Sequence, residues 1–63
     1  MKGIKEYRCQ RRLRQRELAE MVGVTRLTIA RYESGTRKPD VYMLKRIADA
    51  LECTVDDLIR KSA

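Results

Sequence analysis

The feature that most constrains this chain is a single glycine between two short apolar-periodic runs. In ELAEMVGVTRLTIARYE, Glu17 to Glu33, both flanks of Gly23 carry helical spacing. Neither flank can persist alone, because isolated helices under about 12–15 residues are marginal in water. Each must therefore cover the other, with the chain turning sharply between them. Gly takes a left-handed backbone at little cost, where most residues would be strained. Thr25 follows at once as an N-cap for the next helix. Ala19, one turn before Gly23, is small enough for that helix to approach closely. Two short helices joined in this way make a helix-turn-helix.

The rest of the chain reads as helix too, with no sustained period-2 alternation that would mark a strand. Ile4, Tyr7 and Arg8 share one face of a first helix running to about Arg11. Leu18, Ala19 and Val22 line a second helix, and Ile29 and Tyr32 a third, spanning Arg26–Ser34. Gly35 suits the left-handed position after that third helix, and Pro39 stops it from continuing. Asp40 caps a fourth helix whose Val41, Leu44, Ile47, Ala48 and Leu51 form an apolar stripe. Thr54 opens a fifth, TVDDLIR, with Leu58 and Ile59 on its apolar side. Asp56 and Asp57 stand at its positive end, Arg60 and Lys61 at its negative end. The expected fold class is all-α: one compact five-helix domain over residues 1–63, its core about 4–60.

Size and charge narrow the function. A chain of 63 residues buries only about 60% of its unfolded surface, which leaves no area for a deep ligand cavity. No apolar run reaches the ~18 residues of a membrane span, and the N-terminus has no signal-peptide core. The expectation is a cytoplasmic protein with no membrane contact. Cys9 and Cys53, without a single histidine, cannot supply the four ligands of a structural zinc site. They read as free packing thiols, and no metal or cofactor is expected. Ser34 and Ser62 lack a base to activate them, so the chain does not read as an enzyme. The net charge is +6, but residues 1–38 alone carry +7, from eleven basic and four acidic side chains. Ten of the fifteen basic residues are arginine, whose planar fork matches phosphates and base edges. This asymmetry points to a polyanion.

The third helix has a face for it. With Ile29 set at zero on the buried side, Leu27 and Arg31 fall at about 160° and 200°. Ala30 and Ser34 keep the same outer face small, and Arg26 sits in the first turn. Such a surface can lie in a DNA major groove.

Residues 15–34, QRELAEMVGVTRLTIARYES, resemble the twenty-residue helix-turn-helix of Cro and phage-repressor-type regulators, the Xre-like family. The small residue (Ala19), the turn glycine (Gly23) and the buried branched residue (Ile29) stand at its fifth, ninth and fifteenth positions. YESGTRKP and LKRIADALECTVDDL match the flanking and closing segments. The resemblance implies a lambda-repressor-like fold with the helix-turn-helix at helices 2 and 3. It places Arg26, Leu27 and Arg31 at base-reading positions, with arginine suited to guanine and leucine to a thymine methyl. It assigns Arg14, Gln15, Thr28, Thr36, Arg37 and Lys38 to the DNA backbone. Arg8 and Glu33 match a structural ion pair between helix 1 and helix 3.

Two positions depart from the family pattern. Arg12 stands where a Gly often ends helix 1, and Arg14 where Ser or Thr often caps helix 2. Arg11, Arg12, Arg14 and Arg16 together would line a phosphate track. The implied function is a sequence-specific double-stranded DNA-binding regulator, acting as a homodimer on a palindromic operator without a small-molecule ligand. For Ile59 the readings are ordinary core or, by analogy, dimer contact, with core favoured. The alternative is a protein-binding adaptor of the same fold, antitoxin-like or a bridging coactivator. It would bind DNA weakly by itself. RNA is disfavoured because the chain has no Phe or Trp for a stacking platform.

Overall fold

The computed structural model describes residues 1–63 as five α-helices and no strand. They are α1 (Lys2–Gln10), α2 (Gln15–Val22), α3 (Arg26–Ser34), α4 (Val41–Ala50) and α5 (Val55–Ser62). Local chemistry accounts for the boundaries. Thr25 accepts from Thr28 N at 3.2 Å, and Asp40 from Met43 N at 2.7 Å. Thr54 and Asp57 form a reciprocal capping box, with Thr54 N–Asp57 Oδ2 at 3.0 Å and Asp57 N–Thr54 Oγ1 at 2.9 Å. The backbone and side chain of Thr54 hold the Asp57 carboxyl below its ordinary range, with Arg60 adding to the effect. Gly23 (φ 80°) and Gly35 (φ 85°) take the left-handed conformation after α2 and α3.

α2 packs on α3 and α4, while α1 crosses both α3 and α5. Ile4, Leu18, Ala19, Val22, Ile29, Tyr32, Ile47, Ala48, Leu51 and Leu58 form the buried core, so every helix contributes. α1 lies close against α5. A β-carbon on Gly3 would overlap the Leu58 carbonyl. Gly3 N donates to Ser62 Oγ at 2.9 Å, and that hydroxyl donates on to Leu58 O at 2.8 Å. Ser62 thus satisfies one of the open N–H groups of α1, a helix without a side-chain cap of its own.

Three packing expectations need correction. Val41 is 69% exposed rather than part of the α4 stripe. It lies about 120° from Ile47 around the helix and in the first turn, so it overhangs the core. Ile59 is 51% exposed, being about 100° from the buried Leu58, so it is not ordinary core. Cys9 is exposed on α1 and packs against nothing in the core. Cys53 does pack there, and burial pushes its thiol pKa up, with Asp57 adding to the shift. No helix is long and apolar enough to cross a membrane.

Candidate nucleic-acid interface

α3 is buried along Ile29 and Tyr32 and open on its far side. There Leu27 is 50% exposed, and Arg31 is exposed with no side-chain partner. Arg26 lies exposed in the first turn, and its Nη1 donates to Gln15 Oε1 at 3.0 Å. Arg26, Leu27 and Arg31 therefore share one solvent-facing helix. Thr28 is only half exposed, and its hydroxyl meets that of Thr25 at 3.0 Å.

The loop after α3 is folded back rather than loose. Arg37 N donates to Arg31 O at 3.2 Å, the Ser34 and Thr36 hydroxyls meet at 2.9 Å, and Pro39 is buried. These contacts leave Thr36, Arg37 and Lys38 exposed beside the end of α3. The side chains of Arg37 and Lys38 have no acidic partner, which leaves both cations free.

A hydrogen-bonded chain runs from this surface into the interior. Gln15 Nε2 donates to Glu33 Oε1 at 3.0 Å, orienting the amide so that its oxygen faces Arg26. Glu33 also takes both prongs of Arg8, from Nε at 2.7 Å and Nη2 at 3.2 Å. Arg8 Nη1 completes the set on Leu13 O at 2.7 Å. The two charged side chains are 11% and 5% exposed. The hydrogen bonds that Arg8 donates to Glu33 raise its pKa above the ordinary value, outweighing the opposing effect of burial. Arg8 and Glu33 thus tie α1 to α3, and Gln15 carries that rigidity to Arg26. The part played by Gln15 was not legible in the sequence, because it depends on which way an amide points.

The arginine track divides. Arg11 leaves it: its Nε donates to Leu51 O at 2.9 Å and its Nη2 to Glu52 O at 3.1 Å, closing the C-terminus of α4. A cation suits that end of a helix. Arg12, Arg14 and Arg16 remain, lining an open cleft with Gln15, Glu17, Arg26 and Arg8. Arg14 occupies the N-cap of α2 in extended conformation. Its side chain has no acceptor to offer, so only half a capping box forms, with Arg14 N donating to Glu17 Oε1 at 2.8 Å.

The profile of the helix-turn-helix family matches residues 4–58. The chain belongs to this family. The Xre-like resemblance and the all-α expectation both hold, and the family is one of transcriptional regulators, not enzymes. The chain is similar to the uncharacterised HTH-type transcriptional regulator YqaE of Bacillus subtilis, at 34% identity over 58 residues, covering 92% of this chain and 50% of the relative. An HTH-type transcriptional regulator of Methanothermobacter thermautotrophicus is 50% identical over 48 residues, covering 76% and 70%. The cryptic phage CTXphi transcriptional repressor RstR of Vibrio cholerae is 39% identical over 44 residues, covering 70% and 39%. The chain thus spans half the length of YqaE and less of RstR.

Proposed function

We propose that the chain is a sequence-specific regulator that reads double-stranded DNA in the major groove with α3. The observation that carries this reading is the outer face of α3, where Leu27 and Arg31 stand exposed with no work to do inside the protein. Arg26 and Arg31 offer bidentate donors to guanine, and Leu27 offers an apolar surface to a thymine methyl. Arg14, Gln15, Thr28, Thr36, Arg37 and Lys38 hold the sugar-phosphate backbone and set the register without reading bases. Gln15 has a double part, since its amide also fixes Arg26.

One such domain makes few base contacts. Pairing half-sites about one helical turn apart gives the specificity that a single copy lacks, so the acting form is a homodimer on a two-fold operator. The half-exposed Ile59 on α5 is our candidate for its contact. Repression is the sense in which we read its regulation, supported by the likeness to a protein named as a phage repressor. A role on DNA is the support for reading the chain as cytoplasmic.

Two substitutions test this reading against a selected duplex. Arg31→Ala is expected to cost about 1–3 kcal/mol and relax preference at one base pair per half-site. Lys38→Ala weakens all sequences alike. An Arg31→Ala protein with undiminished discrimination would remove α3 from the groove.

A further inference from the structure

Arg12 holds a conformation that arginine has no intrinsic reason to adopt. Its φ is +56°, the left-handed region that glycine occupies without strain. One other non-glycine residue, Glu52, shares this value. Glu52 is engaged there, its carbonyl and carboxylate both meeting Arg11, at 3.1 and 3.4 Å. The Arg12 side chain has no partner of any kind in the protein. It opens into the cleft lined by Arg14, Arg16 and Arg26.

The arginines of this chain fall into two groups. Arg8, Arg11 and Arg60 are paired with carboxylates. Arg12, Arg14, Arg16, Arg31, Arg37 and Arg46 are not, and Arg26 meets only the neutral amide of Gln15. Of these, Arg12, Arg14, Arg16 and Arg26 line the cleft. The one acidic residue at the cleft, Glu17, has a carboxylate turned to the Arg14 backbone. Like charges gathered without compensation repel one another in the free protein, and a polyanion laid across them relieves that repulsion. The cleft is open, has no apolar lining residue, and measures about 950 Å³. That shape accommodates a length of sugar-phosphate backbone rather than one enclosed ion.

We propose that Arg12 is a phosphate-binding residue, kept in strained backbone so that the cleft can clamp DNA backbone beside the bases read by α3. The left-handed turn itself ends α1, with Arg12 N donating to Cys9 O at 3.0 Å and Leu13 N to Arg8 O at 3.1 Å. Glycine would make that turn with less strain, and an arginine kept there with its side chain unpaired fits a binding role. The proposal rests on the DNA reading above and adds a contact to it.

The experiment compares the parent chain with Arg12→Gly and Arg12→Lys, measuring urea unfolding and the affinity for a selected duplex at several salt concentrations. Arg12→Gly is expected to unfold at higher urea yet bind several-fold more weakly at low salt, with base preference unchanged. Each lost phosphate contact makes the slope of log affinity on log salt shallower by about 0.9, so the deficit shrinks roughly 3–4-fold between 50 and 200 mM. Arg12→Lys keeps the parental slope and gains no stability. A neutral methylphosphonate at the clamped phosphate weakens the parent but not Arg12→Gly. An Arg12→Gly protein with the parental salt slope overturns the proposal, as does one whose base preference changes. Failure of the parent to select any duplex is a separate outcome, visible before a variant is made, and it overturns the DNA reading together with this clamp.

Discussion

Replacing Glu33 with alanine is expected to cost this domain a large part of its stability without touching a core hydrophobe. Glu33 accepts three hydrogen bonds, two from Arg8 and one from Gln15. Without it the Arg8 guanidinium, 11% exposed, keeps only the Leu13 carbonyl. Breaking a buried pair by removing one partner costs about 3–5 kcal/mol, most of it the stranded charge. Since Arg8 retains some access to water and one acceptor, the low end, about 3 kcal/mol, is expected. A domain of this length has a total stability of only ~3–9 kcal/mol, so the fraction lost is at least a third. Each kcal/mol shifts Tm by about 4–8 °C in small domains, which gives a fall of roughly 12–24 °C in thermal unfolding followed by circular dichroism. The double variant Arg8→Met/Glu33→Leu supplies the control. It removes both charges and leaves none unpaired, so it should recover most of the loss. A Glu33→Ala protein within about 1 kcal/mol of the parent, a typical effect for a neutral hydrogen bond, would refute the buried-pair reasoning.

Other predictions follow from single contacts. Gly3→Ala places a methyl against the Leu58 carbonyl and should cost about 1–3 kcal/mol as overpacking, read from urea unfolding; an unchanged midpoint would mean that α1 and α5 separate freely. Arg14→Ser completes the capping box with Glu17 and should add about 1 kcal/mol while flattening the salt slope of DNA binding; an unchanged slope removes Arg14 from the phosphate contacts. The Asp57 pKa is lowered in the folded chain, so its contribution is fully present above the ordinary aspartate value of about 3.9 and is lost as pH falls through the depressed folded value. Asp57→Asn should accordingly reduce the acid-side pH dependence of unfolding, and an identical acid limb would contradict the capping account.

What the sequence revealed of this fold was short-range. Thr25, Asp40 and Thr54 act on N–H groups three residues away, and Gly23 and Gly35 answer to their own backbone angles, so the helix boundaries were legible from adjacent residues. Ile29 was legible as buried because its neighbours on α2 are dictated by the tight turn. Features that depend on distant segments were not. The demand for a glycine at position 3 comes from Leu58 and Ser62 at the other end of the chain. Arg11 was read as part of a phosphate track because nothing nearby reveals that the end of α4 lies within its reach. Val41 and Ile59 fit an apolar period yet stand at its edge, where helix length and the position of the neighbouring helix decide burial. At the interface, the residues of α3 could be placed on one face by counting around a helix. The Arg8–Glu33 pair was legible only through the family resemblance. Its extension through Gln15 to Arg26 was not legible at all, since it depends on the rotamers of side chains from three helices.

The most direct test of the central claim, that α3 reads bases as part of a homodimer, is selection from a random duplex-DNA pool at physiological salt. The parent and Arg31→Ala proteins would be carried through in parallel. The account predicts a two-fold symmetric motif for the parent, with half-sites about one helical turn apart, and loss of definition at one base pair per half-site in the variant. Enrichment of no motif, with binding that only fades as salt rises, would contradict it and leave a basic domain that binds DNA without reading it.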